Sequence, residues 1–260
     1  MTATPTAVAL SVVIPALDEA DRLPATLEQV YAHLGQCPQW LPAEVIVVDD
    51  GSRDGTPAAA SVVRAPSFVF PLLRVHDRNR GKGAAVRTGF AASRGTRVLL
   101  SDADLAAPIT ELGVLAAADD GQSVVIGSRA VNRALITLRQ PLYRDLMGRC
   151  FNLLTRALVL SGLGDTQCGF KLWPGDLARA VAAVQRLDGF AYDVEQLVLA
   201  RRWGFTVREV AVHWRHVEAS RVLPLRHSAQ MLRDLVRLWW WLRTGAVAAA
   251  APYSPPPPIA

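Results

Sequence analysis

Five times between residues 8 and 129, a short apolar run stops abruptly at polar or glycine-rich residues and a loop leads into helical periodicity or on to the next run. The runs are Val8–Ile14 (closed by Pro15), Glu44–Val48, Leu72–Val75, Val98–Leu100 and Val124–Ile126. Brief apolar runs bounded by turn residues read as strands buried on both faces. Their alternation with amphipathic segments, such as Leu23, Leu27, Val30, Tyr31 and Leu34 at helical spacing, predicts an α/β fold. The expected architecture is a Rossmann-like, mostly parallel central sheet with helices on both faces.

Ligands of such open sheets sit beyond the carboxyl ends of the strands. The residues just past each run therefore carry the most information about function. Asp18, Glu19 and Asp21 follow the first, and Asp49-Asp50-Gly51-Ser52 ends the second. Asn79-Arg80-Gly81-Lys82-Gly83 follows the third, Asp102-Ala103-Asp104 the fourth, and Gly127-Ser128-Arg129 the fifth. Two carboxylates one residue apart can hold a hard divalent cation whose other ligands come from water and substrate phosphate. A helix-capping pair is the plainer alternative. Lys82 beside two glycines at a helix start can face phosphate oxygens, or simply close a loop. The acids after the first two strands can accept hydrogen bonds from a base or ribose, though acids in a first helical turn also suit the macrodipole. Neither a Walker-A loop nor a G-x-G-x-x-G fingerprint is present, which argues against an ATPase and a nicotinamide dehydrogenase. The set of strand-end residues that is left resembles a nucleotide-sugar site of the glycosyltransferase A type.

After Arg129 the pattern changes. Arg129, Arg133, Arg139, Arg144 and Arg149 face a single acid, Asp145, in a chain of formal charge +5. An anionic partner or a solvated basic face would each explain them. The arginines lack interleaved aromatics for base stacking, so no nucleic-acid partner is expected. A helix over Leu142–Leu160, apolar nearly all round, reads as buried or membrane-proximal. A strand at Thr166–Trp173, helices at Gly175–Val184 and Tyr192–Trp203, and a strand at Thr206–Trp214 come next. The last helix, Leu225–Gly245, places Met231, Leu235, Leu238 and Leu242 on one face, widened by Leu232 and Trp239. With Trp239-Trp240-Trp241 and flanking arginines it suits a membrane interface, or packs on the domain. Cys37, Cys150 and Cys168 lack metal-ligand spacing and suit a reducing compartment, Cys168 as a small buried residue. His213, His216 and His227 form no ligand set. No signal peptide and no transmembrane helix are expected. The expected division is a catalytic domain at 8–224, an amphipathic helix at 225–251 and a disordered proline-rich tail at 252–260.

Ser11-Val12-Val13-Ile14-Pro15, Val47-Val48-Asp49-Asp50-Gly51-Ser52, Asn79–Gly83 and Asp102-Ala103-Asp104 together resemble the ordered motifs of family 2 glycosyltransferases. Gly127-Ser128-Arg129, Asp165-Thr166-Gln167-Cys168-Gly169-Phe170-Lys171-Leu172, Tyr192-Asp193-Val194-Glu195, Val212-His213-Trp214 and Glu218-Ala219-Ser220-Arg221-Val222 resemble the dolichyl-phosphate β-glucosyltransferases within it. The resemblance spans roughly residues 9 to 245. It implies an inverting enzyme that moves glucose from UDP-glucose to a polyprenyl phosphate. A GDP-mannose-dependent mannosyltransferase and a non-catalytic nucleotide-sugar-binding protein are the alternatives. It further implies Mg²⁺ or Mn²⁺ on Asp102 and Asp104, with Asp104 the principal ligand, and base and ribose contacts from Pro15, Leu17, Glu19 and Asp50. Lys82, Asp102 and Lys171 would meet the nucleotide-sugar. Arg129, Arg139, Arg144, Ser220 and Arg221 would hold the acceptor phosphate and the donor diphosphate. Ala106 stands where related mannosyltransferases carry a third ligand, a glutamine. The N-terminal membrane helix of eukaryotic members has no counterpart here, so a peripheral enzyme on the cytoplasmic side of the cell membrane is expected.

Asp193 and Glu195 fall where many inverting relatives carry a catalytic base; a helix N-cap is the alternative for Asp193. A lipid phosphate with a second pKa of about 6 is already largely ionised at neutral pH. Asp193 is therefore expected to orient the acceptor or sugar rather than abstract a proton.

Overall fold

The computed structural model describes residues 7–138, 140–217 and 224–246, without the side chains of Leu142, Arg144 and residues 224–227. The five predicted strands are β1 (Leu10–Ala16), β2 (Ala43–Asp49), β3 (Val69–Val75), β4 (Arg97–Ser101) and β5 (Val124–Ser128). The second half adds β6 (Ile136–Leu138), β7 (Phe170–Pro174), β8 (Val207–Ala211) and β9 (Trp214–Arg215). Seven of these form one sheet in the order β3-β2-β1-β4-β7-β5-β8, while β6 and β9 pair separately. Every pairing in the large sheet is parallel except those of β7, which runs antiparallel between β4 and β5. The start of β7 consequently lies at the edge where its neighbours end, so the Gln167–Gly169 loop joins the strand-end loops.

Several sequence boundaries move. β1 does not close at Pro15 but runs to Ala16, because Pro15 is paired with β2 alone. Pairing with β4 has already ended at Val13 and Leu100, and a one-sided position tolerates a missing N–H. The predicted strand from Thr166 begins only at Phe170. Before it, the Asp165 carboxylate takes the Gln167 N–H (3.1 Å), which holds a turn instead of a ladder. Likewise the predicted strand Thr206–Trp214 is split between β8 and the two-residue β9.

The helices are α1 (Leu23–Gly35), α2 (Thr56–Val62), α3 (Lys82–Ala92), α4 (Leu112–Ala118), α5 (Leu142–Leu158), α6 (Gly175–Val184), α7 (Tyr192–Arg202) and α8 (Pro224–Thr244). Strand side chains alternate between two cores. Val13, Ile46, Val48, Val98, Leu100 and Trp173 face α3, α6, α7 and α8, and Val12, Ile14, Val45, Leu99 and Leu172 face α1 and α4. α1 shows why such a segment folds: Pro24 in its first turn lacks only an N–H that would be unpaired anyway, and Leu23, Leu27, Val30 and Leu34 make one buried stripe.

α5 is not buried. Phe151 and Thr155 face inward, whereas Tyr143, Leu146, Leu153, Leu154 and Leu158 are exposed. On α8, Leu235 and Leu238 are fully buried, and Met231, Trp241 and Leu242 pack on the same core. Trp241 thus widens the packed face, while Leu232, expected there, is 46% exposed beside exposed Val236 and Trp240. Among the described residues no helix is long and apolar enough to cross a membrane. The tail at 252–260 and the end of the predicted 225–251 segment lie outside the described residues.

Candidate active site

At the carboxyl edge of the sheet lies a cavity of about 690 Å³. β1 delivers Pro15, Leu17 and Glu19 to its wall, β2 Asp50, the start of α3 Lys82, β4 Asp102 and Asp104, and β5 Arg129. Eight of the residues predicted from sequence therefore meet in one place: Pro15, Leu17, Glu19, Asp50, Lys82, Asp102, Asp104 and Arg129. Two non-glycine residues with left-handed backbone, Asp18 (φ 54°) and Leu105 (φ 45°), sit in the loops that leave β1 and β4. Such outliers concentrate where a loop is shaped for function.

The two aspartates of the β4 loop have different surroundings. Asp102 forms an ion pair with Lys82 (Nζ to Oδ1, 2.6 Å). Asp104 accepts the Ala106 N–H (2.9 Å). Burial and the neighbouring Asp102 charge raise the Asp104 pKa against the pull of Lys82 and Arg22. Burial disfavours the Lys82 ammonium, but Asp102, Asp193 and Asp104 outweigh it and raise its pKa. Two neighbouring carboxylates, one of them paired with a single cation, offer hard oxygen ligands suited to Mg²⁺ or Mn²⁺. Among the described residues no three His, Cys, Asp or Glu side chains gather to hold a metal. The remaining ligands would have to be substrate oxygens and water, as the alanine at 106 implies.

Lys82 is aimed by its turn. Gly81 has φ +109°, a conformation side chains rarely adopt, and a Cβ there would lie 2.3 Å from the Asp188 carbonyl oxygen. The Asp50 carboxylate accepts the N–H groups of Arg80 (3.0 Å) and Gly81 (2.8 Å). Asp50, predicted to meet base and ribose, thus also braces the lysine turn. Glu19 pairs with Arg22, a cavity residue that no motif signalled.

Arg129 is held rather than loose. Its guanidinium makes a two-pronged contact with Asp165 (2.6 and 2.8 Å) and lies over Trp214 at 5.3 Å. Burial opposes its charge, but the Asp165 charge and hydrogen bond raise its pKa; Asp165, against its own burial, is lowered by Arg129. Asp165 is itself set by Glu209 of β8, which accepts the N–H groups of Asp165 (2.7 Å) and Gly164 (2.8 Å).

Three residues expected at the site lie off the cavity wall. Lys171, expected to meet the nucleotide-sugar, has its Nζ completely buried against Asp193. Asp193 itself is 4% exposed at the start of α7, and neither residue is on the cavity wall. Burial raises the Asp193 pKa, opposed by Lys171 and Lys82. Glu195 accepts the N–H groups of Arg186 (3.0 Å) and Leu187 (2.7 Å) and so braces the loop before α7. The shared cause is that β7 enters the sheet centre, so Lys171, predicted on a strand, points into the core and needs a buried counter-ion. Arg139, Ser220 and Arg221, with the Glu218–Val222 motif, lie outside the described residues, and Arg144 is described in backbone only. Cys168 is buried, and burial pushes its thiol up to about 12.

The cavity has a second, apolar end that motifs could not signal. Leu146, Met147, Phe151 and Leu154 of α5 face Met231 and Leu232 of α8 across it. His216, which follows β9 and belongs to no ligand set, is also on the wall. β9 is brought there by the Arg215 N–H to the Ala106 carbonyl (2.8 Å).

Compared with known proteins, residues 11–173 match Glycosyl transferase family 2. The dolichyl-phosphate β-glucosyltransferase of Drosophila melanogaster is 36% identical over 246 residues, 88% of this chain and 74% of its own. That of Homo sapiens is 34% identical over 239 residues, 87% of this chain and 74% of its own. Among solved structures, mannosyl-3-phosphoglycerate synthase from Rubrobacter xylanophilus superposes with a TM-score of 0.64 at 18% identity, covering 97% of this chain and 79% of that one. Glucosyl-3-phosphoglycerate synthase from Mycobacterium tuberculosis, in complex with Mn²⁺, UDP and glucosyl-3-phosphoglycerate, gives 0.62 at 21% identity, covering 91% and 80%. These two likenesses establish the glycosyltransferase fold.

Proposed function

The chain belongs to glycosyl transferase family 2, and from that membership we propose that it moves glucose from UDP-glucose to a polyprenyl phosphate of the dolichyl type, inverting C1. The observation that carries the substrate assignment is a single cavity with two unlike ends. Acids and cations gather at the strand edge, and leucines, methionines and Phe151 at the mouth between α5 and α8. A nucleotide diphosphate suits the first and an isoprenoid chain the second.

In this reading Pro15, Leu17 and Glu19 seat the base and ribose, and Lys82 faces the diphosphate. Asp102 and Asp104 would hold Mg²⁺ or Mn²⁺, which supplies positive charge against the departing diphosphate. The acceptor phosphate is an anion at neutral pH, so its oxygen attacks C1 without a base. The new bond is phosphate oxygen to C1; the bond broken joins C1 to the β-phosphate, and UDP leaves with the electron pair. Lys82 and Arg129 stabilise the charge moving between the two phosphates, Arg129 because Asp165 and Trp214 fix its direction. Arg139, Arg144, Ser220 and Arg221 complete the acceptor phosphate site in this proposal, on the strength of the motif resemblance alone. Asp193 acts at a distance, as the buried partner of Lys171 behind the Lys82–Asp102 pair.

We place the enzyme peripherally on the cytoplasmic face of a membrane. Exposed Leu146, Leu153, Leu154 and Leu158 of α5, with Leu232, Val236 and Trp240 of α8, form apolar surface around the cavity's apolar end. Three free cysteines suit a reducing compartment.

The test is product formation. Purified full-length protein, Mn²⁺ and vesicles carrying polyprenyl phosphate are incubated with radiolabelled UDP-glucose or GDP-mannose. Labelled lipid is expected from UDP-glucose. Label from GDP-mannose alone, or from neither donor, overturns the proposal.

A further inference from the structure

His76 follows β3, and its N–H continues the ladder to the Asp49 carbonyl (2.9 Å). This places the ring, 8% exposed, between the end of β2 and α3. Both ring nitrogens are engaged: Nδ1 lies 2.7 Å from Asp50 Oδ1 and Nε2 2.9 Å from Thr88 Oγ1. The same Asp50 carboxylate receives the N–H groups of Arg80 and Gly81, the two residues before Lys82. A carboxylate that grips two successive amides fixes a turn only if its own torsion is fixed. His76 supplies that constraint on one side, and Thr88, on the helix that Lys82 opens, anchors the ring on the other.

We infer that His76 is a positioning residue for the donor diphosphate, acting through Asp50 on the turn that aims Lys82. The role rests on the proposal that Lys82 faces the diphosphate of a uridine nucleotide. It also makes a distinction within the nucleotide. If Asp50 served mainly the base or ribose, losing His76 would weaken uridine and UDP alike. Because Asp50 holds the lysine turn, the loss should fall on the phosphates. Losing a hydrogen bond to a charged group sets the expected loss at about tenfold in UDP affinity.

Calorimetric titration of full-length protein with UDP plus Mn²⁺, and separately with uridine, tests this for wild type, His76→Leu and His76→Asn. His76→Leu should bind UDP about tenfold more weakly with uridine affinity within about twofold. His76→Asn, which can restore a donor near the Nδ1 position, should recover most of the loss. Equal UDP affinity in wild type and His76→Leu overturns the role, as does a parallel fall for uridine and UDP or a failure of Asn to restore binding. If His76→Leu does not fold, Thr88→Val carries the same comparison: a loss confined to UDP supports the role and unchanged UDP affinity overturns it. Wild-type protein that does not bind UDP overturns the donor assignment itself, and with it this inference.

Discussion

The Asp102 carboxylate occupies the space that a side chain on Gly169 would need: a Cβ at Gly169 would lie 2.0 Å from Oδ2 and 2.5 Å from Oδ1. The two residues are far apart in sequence but adjacent in the fold, because antiparallel β7 starts beside the end of β4. Gly169 is thus the back wall of the acidic pair, and Lys82 closes the other side of Asp102.

Gly169→Ala should therefore misplace Asp102 without a comparable loss of stability. The backbone at Gly169 has no positive φ, so the effect is steric. A displacement of about 1 Å in a positioned group can lower turnover on the order of a hundredfold. Steady-state kinetics with UDP-glucose, set beside a thermal melt, checks it. Turnover within twofold of wild type would show that Asp102 is free to move.

Asp104 and Asp193 should respond oppositely. Asp104→Ala removes the acid with the raised pKa from the cavity wall, so turnover should nearly vanish and Mn²⁺ binding weaken, while the melt changes little. Asp193→Asn leaves Lys171 buried without its counter-charge, and breaking such a pair costs about 3–5 kcal/mol of stability. The molecules that remain folded should turn over at near the wild-type rate under saturating acceptor. Urea denaturation and kinetics on the folded fraction separate the two effects. A loss of turnover in folded Asp193→Asn would return Asp193 to the reaction itself, as a base or as a group that orients the acceptor or sugar.

These contrasts mark where the sequence was legible. Asp102, Asp104, Lys82 and Arg129 could be assigned to one edge because short apolar runs end abruptly, and parallel topology then brings the ends together. Lys171 and Asp193 could not be placed, since a lysine in a strand reads as a surface residue unless the strand's neighbours are known. β7 is central and antiparallel, a consequence of long-range pairing that no local pattern carries. Gly169 and Trp214 stand in motifs that carry the family resemblance, but what they do comes from contacts with residues distant in sequence, which no local pattern shows. The apolar mouth was half visible: the nearly all-round apolar character of α5 allowed burial or lipid, and only the fold leaves Leu146 and Leu153 exposed.

Membrane contact should depend on the outward side chains of α5 and α8. Removing α8 would expose the core that Leu235 and Leu238 fill, so point changes are the cleaner probe. Leu153→Glu and Leu232→Glu alter residues 58% and 46% exposed and should leave the melt within about 1 kcal/mol of wild type. Each should reduce flotation with anionic vesicles several-fold, and the pair more than either. Flotation equal to wild type in the double variant would remove these helices from the interface.

The Arg129–Asp165 pair should make stability fall at acid pH. In the unfolded chain Asp165 titrates near 3.9. In the fold, despite its burial, the Arg129 charge and hydrogen bonds hold it lower. Between the two values the unfolded state binds more protons, so this contribution is fully present above the unfolded pKa and is lost as pH falls through the folded one. Asp165→Asn removes it and leaves the Arg129 guanidinium without its buried partner, at a cost of about 3 kcal/mol near neutral pH. Urea denaturation of wild type and Asp165→Asn from pH 7 down to about pH 3 should show a constant gap above roughly pH 5 that narrows below pH 4. A gap that keeps its size to the acid limit would mean the pair contributes through packing and hydrogen-bond geometry, not through charge.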